Sequence, residues 1–366
     1  MSERISGRVV TPIGVVDGSV SVSDGLIAAV SAEAGAGTDW IVPGFVDLHN
    51  HGGGGHSFTL GSADDARAAA AFHLAHGTTT LLASLVSSPL PLMKEAVAAF
   101  APLYRAGVIA GIHFEGPYLS VARCGAQNPA HLRDPSLPEL SALIELGQGA
   151  LRMVTVAPER PGALAAIELL AAHGVVAAIG HTDATYEQTL AGVAAGASVA
   201  THLFNGMRQP HHREPGPVVA LLASPTVVCE LIADGIHLHD GTLAFATSVT
   251  GPSRAALVTD AMDAAGMPDG RYELGGLTVV VADRVARLER DGAIAGSTLT
   301  LDAAVRRAVG AGIGIVAACR MAATTPARVL GLSASVGALE PGLRADVVVL
   351  SEDLHVRRVM RAGRWL

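Results

Sequence analysis

Apolar runs and alanine-rich stretches alternate along the middle of the chain. Nearly unbroken apolar runs at Val42–Leu48, Thr78–Val86, Val108–Phe114, Leu151–Val156, Val175–Gly180, Ser198–Leu203, Thr226–Ala233 and Ala255–Thr259 predict strands buried on both faces. Helical stretches lie between them at Ala63–His76, Pro91–Tyr104, Leu137–Leu146, Gly162–His173, Thr185–Ala195, Pro217–Ala223 and Thr242–Val249. Strands alternating with helices in this way predict a (β/α)8 TIM-like barrel. The ends read differently. Gly7–Val16, Gly18–Val22 and Leu26–Ser31 are short β segments separated by Asp-Gly pairs at 17–18 and 24–25, and Leu343–Leu350 and Val356–Leu366 are β again. Short terminal strands cannot bury a core alone, so both ends are expected to meet in one small β-sandwich. The expected division is residues 1–42 plus 335–366 for the sandwich and 43–334 for the barrel. An inserted hairpin near 271–291 turns at Asp283. Leu299–Ala311 and Ile315–Ala323 are expected as late helices, the second stopped by Pro326.

Composition narrows the class. Half of the 366 residues are hydrophobic and only 16% are charged, which excludes a disordered chain. The mean hydropathy of +0.41 raises the question of a membrane. The longest small-apolar stretches, such as Ala308–Cys319, are shorter than the roughly 20 apolar residues a span needs, and no signal peptide is visible. A net charge of −8 argues against nucleic acid or an anionic membrane as partner. The three cysteines, Cys124, Cys229 and Cys319, are far apart and odd in number, which fits the cytoplasm and no disulfide framework.

The polar residues fall at one end of the predicted strands. In such a barrel the chemistry sits at the C-terminal ends of strands. There the first strand carries His49 and His51, the third Glu115, the fifth His181, the sixth His202, the seventh Asp234 and His237, and the eighth Asp260. Surface histidines would scatter; these follow long apolar runs at the same end each time. His49 and His51 are two residues apart, so on a strand they face the same way. Glu115, His181 and His202 make a three-ligand metal set with an open position, and His49 and His51 offer a second, with Glu115 between them. Such donors suit zinc first, and iron, manganese or cobalt also fit. A metal lowers the pKa of its water to roughly 7. Asp260 beside it can accept a proton and deliver it to a leaving amine.

Arg213, in a loop with His211 and His212, is a candidate anion clamp, and His237 a second donor; the alternatives are a salt bridge to Glu214 and an ordinary loop histidine. His73 and His76 read as structural. His113, on the same face as Glu115, reads as structural or as support for the ligands. His56 closes the glycine loop, and Cys124 lies in the loop after Glu115 with no catalytic partner in view.

Taken together, the chain resembles the amidohydrolase superfamily and, within it, the N-acetylglucosamine-6-phosphate deacetylase family. The matching stretches are Pro-Gly-Phe-Val-Asp-Leu-His-Asn-His-Gly at 43–52, His-Phe-Glu-Gly-Pro-Tyr-Leu at 113–119, Gly-His-Thr at 180–182 and His-Leu-Phe-Asn-Gly-Met at 202–207. Arg-Glu-Pro-Gly at 213–216, Ala-Asp-Gly-Ile-His at 233–237, Val-Thr-Asp-Ala-Met at 258–262 and Ala-Gly-Ser at 295–297 continue the order. The resemblance implies hydrolysis of N-acetylglucosamine 6-phosphate to glucosamine 6-phosphate and acetate. It implies Glu115, His181 and His202 as ligands of a divalent metal and Asp260 as catalytic acid/base. It also implies substrate contacts from Ala126, Gln127, Asn205, Gly206, Arg213, His237 and Ile294, Ala295 and Gly296, and a homodimer in which Arg213 serves the neighbouring subunit. Other superfamily members bridge two metals with a carboxylated lysine. The single lysine here, Lys94, lies on a predicted helix, so Glu115 takes that role. Some family members lack the His-x-His and use one metal; its presence points to two. Other members have a substrate-contacting histidine where Gln127 stands, and an amide cannot become cationic. Competing readings are a deacetylase for the galactosamine isomer, an amidohydrolase for an unphosphorylated N-acyl substrate, and a non-catalytic barrel.

Overall fold

The computed structural model describes residues 3–59 and 62–366. The chain opens with β1 (Glu3–Thr11), β2 (Gly14–Ser23), β3 (Leu26–Ala32) and β4 (Trp40–Pro43). The barrel strands follow: β5 (Phe45–Asp47), β6 (Thr78–Val86), β7 (Gly111–Glu115), β8 (Leu151–Val156), β9 (Val176–Ile179), β10 (Val199–Ala200), β11 (Val228–Ile232) and β12 (Ala255–Val258). These eight form one parallel sheet in sequence order. It closes through a parallel bridge between Asn50 and Ala261, just past the ends of β5 and β12. Helices follow the strands in the expected alternation, from Ala63–Ala75 after β5 to Asp240–Thr250 after β11 and Leu301–Gly310 after the insert. Among the described residues, no helix is long and apolar enough to cross a membrane.

Both chain ends meet in a second sheet. Strands β16 (Val347–Leu350), β17 (Val356–Arg361) and β18 (Arg364–Trp365) join β1–β4 in the order β18-β17-β16-β4-β1-β2-β3. The far edge curls back, since Leu26 bridges Arg344. The curled sheet encloses its own core of Ile5, Val9, Val20, Ile27, Ile41, Val347, Val349 and Met360.

Several sequence expectations are corrected. The apolar run at Val42–Leu48 is two strands. β4 ends at Pro43, paired with Val347 in the terminal sheet, and Phe45 begins the barrel by donating to Gly77 O. Gly44 lies between them, so close to its neighbours that a Cβ would sit 2.4 Å from Thr79 Oγ1 and 2.9 Å from Asp346 Cβ. Gly44→Ala is therefore expected to destabilise the fold by about 1–3 kcal/mol through overpacking, read by denaturant unfolding; an unchanged midpoint would show that the junction can yield. Asp17-Gly18 is not a turn. It lies inside β2 opposite Gly7 and Arg8, and the hairpin turns at Pro12-Ile13. Gly18 is there for strand approach, since a Cβ would meet Ser31 O at 2.0 Å. The insert has three strands, β13 (Gly270–Leu274), β14 (Leu277–Ala282) and β15 (Val285–Leu288), because Gly275-Gly276 makes a turn before the one at Asp283. Pro326 does not stop the last helix. A wide turn at Arg320–Thr324 precedes Thr325–Val329, where Pro326 sits in the first turn and needs no N–H.

Candidate active site

The polar strand ends converge. His49, His51, Glu115, His181, His202 and Asp260 are all buried at the C-terminal side of the barrel. His51, Glu115, His181, His202 and Asp260 line a cavity of about 230 Å³, and His49 lies beneath it. The Nε2 atoms of four imidazoles meet around two carboxylates. His181 and His202 lie 2.9 and 2.8 Å from Glu115 Oε1 and 3.1 Å from each other. His49 and His51 are 3.0 Å apart; both approach Asp260 Oδ1, at 3.4 and 3.2 Å. Glu115 reaches both pairs, since its Oε2 is 3.2 Å from His51 Nε2.

The far side of three rings fixes their tautomer. Nδ1 of His181 faces Arg123 O at 2.8 Å, Nδ1 of His51 faces Ser84 O at 3.2 Å, and Nδ1 of His49 faces Glu230 Oε2 at 3.2 Å. Carbonyls only accept, so His181 and His51 carry their proton on Nδ1 and leave Nε2 as a lone pair. Nδ1 of His202 has no partner. Buried nitrogen and carboxylate donors at this spacing fit a divalent cation, since each set of three atoms lies within 4.8 Å. The electrostatics agree. Burial alone would lower the His49, His51 and His181 imidazoles, yet the Glu115 and Asp260 carboxylates outweigh it and hold them above the ordinary value. Burial alone would raise Glu115, but His49 and His181 hold it well below the carboxylate range. The centre favours positive charge.

Three of these residues have a left-handed backbone: His181 at φ 44°, His202 at 27° and Asp260 at 49°. Such conformations are costly for residues with a Cβ and persist where surrounding bonds over-determine them. Asp260 N–H donates to His49 O, and Ser297 N–H donates to Asp260 O, at 2.9 and 2.7 Å. His202 N–H donates to Glu230 Oε2 at 3.1 Å. His181 O accepts from Ser120 N–H at 2.9 Å.

Most of the expected contact residues reach the cavity: Ala126, Gln127, Asn205, Gly206, His237, Ile294 and Gly296 line it. Gly206 has to be glycine, because its φ is +59° and a Cβ would stand 2.7 Å from His181 Nδ1. Ala295 does not line the cavity; its side chain is buried in the core of the insert. Gln127 is engaged at both ends. It donates to Glu115 Oε2 at 2.6 Å and accepts from Ser87 N–H at 2.7 Å. His237 donates to Asp234 Oδ2 at 2.7 Å; burial would lower its pKa, and that carboxylate outweighs it. Arg213 is exposed and outside this cavity, with its guanidinium on His212 Nε2 at 2.8 Å rather than on Glu214. His56 pairs with Asp65 at 2.8 Å and does not line the cavity. Lys94 is exposed on a helix, far from any bridging role.

Other participants lie outside the expected ligand and contact sets. Glu230 lies inside an apolar strand. Asp47 joins the backbones of His49 and Thr259, and burial, against hydrogen bonds from Thr259 and Asn50, pushes its carboxyl up to about 6. His73 holds the glycine loop through Gly52 O at 2.9 Å, and burial pushes it down to about 4. His113 sits between Ser84 and Thr155, 2.9 Å from each, with its ring edge-on to His49. Leu274 and Ala293 bring the insert to the cavity wall.

The model of the amidohydrolase family matches residues 40–366. The chain is 39% identical to the N-acetylgalactosamine-6-phosphate deacetylase of Escherichia coli O157:H7, over 98% of this chain and 97% of that one. It is 38% identical to the N-acetylglucosamine-6-phosphate deacetylase of Vibrio furnissii, over 88% and 82%. Among solved structures, an aspartate-to-alanine mutant of N-acetyl-D-glucosamine-6-phosphate deacetylase from Mycobacterium smegmatis, in complex with N-acetyl-D-glucosamine-6-phosphate, superposes with a TM-score of 0.96. It has 45% identity and covers 100% of this chain and 99% of that one. The amidohydrolases are metal-dependent, and this chain belongs to that family, where it groups with the N-acetylglucosamine-6-phosphate deacetylases.

Proposed function

We propose that this protein hydrolyses the acetamide of N-acetyl-D-glucosamine 6-phosphate, giving D-glucosamine 6-phosphate and acetate in amino-sugar catabolism. The observation that carries this reading is the convergence of four imidazole Nε2 atoms on Glu115 and Asp260 at the floor of the cavity. In this reading Glu115, His181 and His202 would hold one divalent ion. His49 and His51 would hold a second, with Asp260 and Glu115 beside them. Zinc suits the nitrogen-rich donors best. When bound, a divalent ion supplies Lewis acidity and makes water acidic enough to attack near neutral pH. In the metal-free protein burial would raise Asp260, but His49 and His51 hold it down at about 2, so the group stands there as a carboxylate. It takes the proton of the attacking water and passes it to the sugar nitrogen as the C–N bond breaks. Asn205, Gly206, Ala126, Gln127 and the Ile294–Gly296 segment orient the sugar. His237, whose pKa Asp234 holds up against burial, meets the phosphate. Arg213, exposed and without a carboxylate partner among the described residues, completes the phosphate site from a second copy in a homodimer in the cytoplasm.

Acetate release from N-acetyl-D-glucosamine 6-phosphate, its galactosamine isomer and unphosphorylated N-acetylglucosamine tests the reading. The glucosamine phosphate is expected to give the highest kcat/KM. Arg213→Ala should lower it about 10–100-fold, mainly through KM, as loss of a charge-assisted contact. Equal kcat/KM with and without the phosphate would defeat the phosphate site. The relative from Escherichia coli favours the galactosamine isomer as a second reading, and a higher kcat/KM for that isomer would select it.

A further inference from the structure

We infer that Glu230 is the positioning residue for the His49 half of the centre: its carboxylate fixes the His49 ring so that Nε2 faces Glu115 and Asp260. The inference rests on the proposed two-ion reading. Glu230 is the third residue of β11, Val-Cys-Glu-Leu-Ile, in which every residue is buried. A carboxylate in that position is costly unless it has a partner. Among the described residues, His49 is the one basic side chain within ion-pair distance of it. Oε2 accepts from His49 Nδ1 at 3.2 Å and from His202 N–H at 3.1 Å; Oε1 has no partner. The dependence is one-sided. His202 keeps other anchors, since Leu203 N–H donates to the Glu230 backbone oxygen at 2.9 Å and Asn205 N–H donates to His202 O at 3.0 Å. The His49 backbone is likewise held, by Asp47 and Asp260. Its ring has only Glu230 on the Nδ1 side. His51 and His181 use carbonyls for the same purpose, so the carboxylate is particular to His49. A carboxylate behind a ligating imidazole orients the ring, fixes its tautomer and raises its basicity.

The test is calorimetric titration of the metal-free full-length protein with Zn2+, on wild type, Glu230→Gln and Glu230→Leu, with thermal unfolding of each metal-free form as the check on folding. Wild type is expected to take up two ions per chain. In Glu230→Gln the first ion should bind as in wild type and the second about 10–100-fold more weakly. Glu230→Leu, without an acceptor, should lose at least as much. Wild-type affinity for the second ion in Glu230→Gln overturns the inference, and so does equal weakening of both ions, which is what a framework residue would give. If Glu230→Leu does not fold, Glu230→Gln, of the same volume, decides alone. A wild-type protein that binds a single ion refutes the two-ion reading and this inference with it. Two ions in both wild type and Glu230→Gln, at equal affinity, refute the inference alone.

Discussion

Asp260→Asn is expected to give a folded protein whose kcat for acetate release is lower by about 10²–10⁴-fold, the usual contribution of a general acid/base. Asparagine keeps the volume and one oxygen, so the bonds from Asp260 N–H to His49 O and from Ser297 N–H to Asp260 O, both made by the backbone, remain. What disappears is the ability to take and return a proton. The variant has to be assayed with its metal content, because Asp260 Oδ1 stands within 3.4 Å of both His49 and His51 Nε2 and shares their ligand set. A fall in kcat with the ions retained assigns proton transfer to this carboxyl. A kcat within about tenfold of wild type would remove Asp260 from that role. Its low pKa also has a consequence for stability. Burial opposes the shift, and His49 and His51 drive it from 3.8 to about 2. A depressed carboxyl contributes stability above its unfolded value. That contribution is lost as pH falls through about 2, so in the metal-free protein Asp260→Asn should narrow the difference in stability between neutral and strongly acidic solution.

Much of this centre was legible in the sequence because it lies where apolar runs end. A strand has a period of two, so His49 and His51 announce themselves as a same-face pair. Glu115, His181, His202 and Asp260 each break a long apolar run at the same end. Glu230 breaks its run in the middle, and nothing local distinguishes a carboxylate aimed at a ligand from one at a solvent-facing edge. Its partner is 181 residues away, and only barrel closure brings the two together. Gly44 was hidden for the opposite reason. Pro43-Gly44 is a breaker pair, but no polar residue interrupts Ile41 to Val46, and the change of sheet is seen in the pairing of Pro43 with Val347 and of Phe45 with Thr78. Asp17-Gly18 carried a strong turn signal, yet a turn at Pro12-Ile13 extended both strands and used Gly18 for close approach to Ser31. Arg213 was legible as a cation in a loop. The chain holds it outside the cavity, on His212, and no local pattern encodes that placement.

Replacing His49 and His51 together by asparagine is expected to reduce bound metal from two ions per chain to one, and to lower kcat by about 10²-fold or more, equivalent to ~3 kcal/mol of transition-state stabilisation. The size follows from what remains. Gln127 stands at the cavity wall, but its amide hydrogen bonds hold Glu115 Oε2 and Ser87 N–H, and a neutral amide so engaged is a poor substitute for a cationic donor at the acetyl carbonyl. With the two imidazoles gone, no basic group lies within ion-pair distance of Asp260 among the described residues, and its carboxyl should rise toward the value that burial alone favours. In the metal-free double variant the titration of Asp260 should therefore move to higher pH. Glu115, His181 and His202 are untouched by the change and keep their mutual contacts of 2.8 to 3.1 Å, so the remaining ion reports that half of the centre alone. Turnover equal to wild type with one ion per chain would mean that the His-x-His pair is not part of the working centre. The chemistry would then belong to Glu115, His181, His202 and Asp260. Loss of both ions would show instead that Glu115 cannot be held in place from one side, because its Oε2 faces His51 and Gln127 while Oε1 faces His181 and His202.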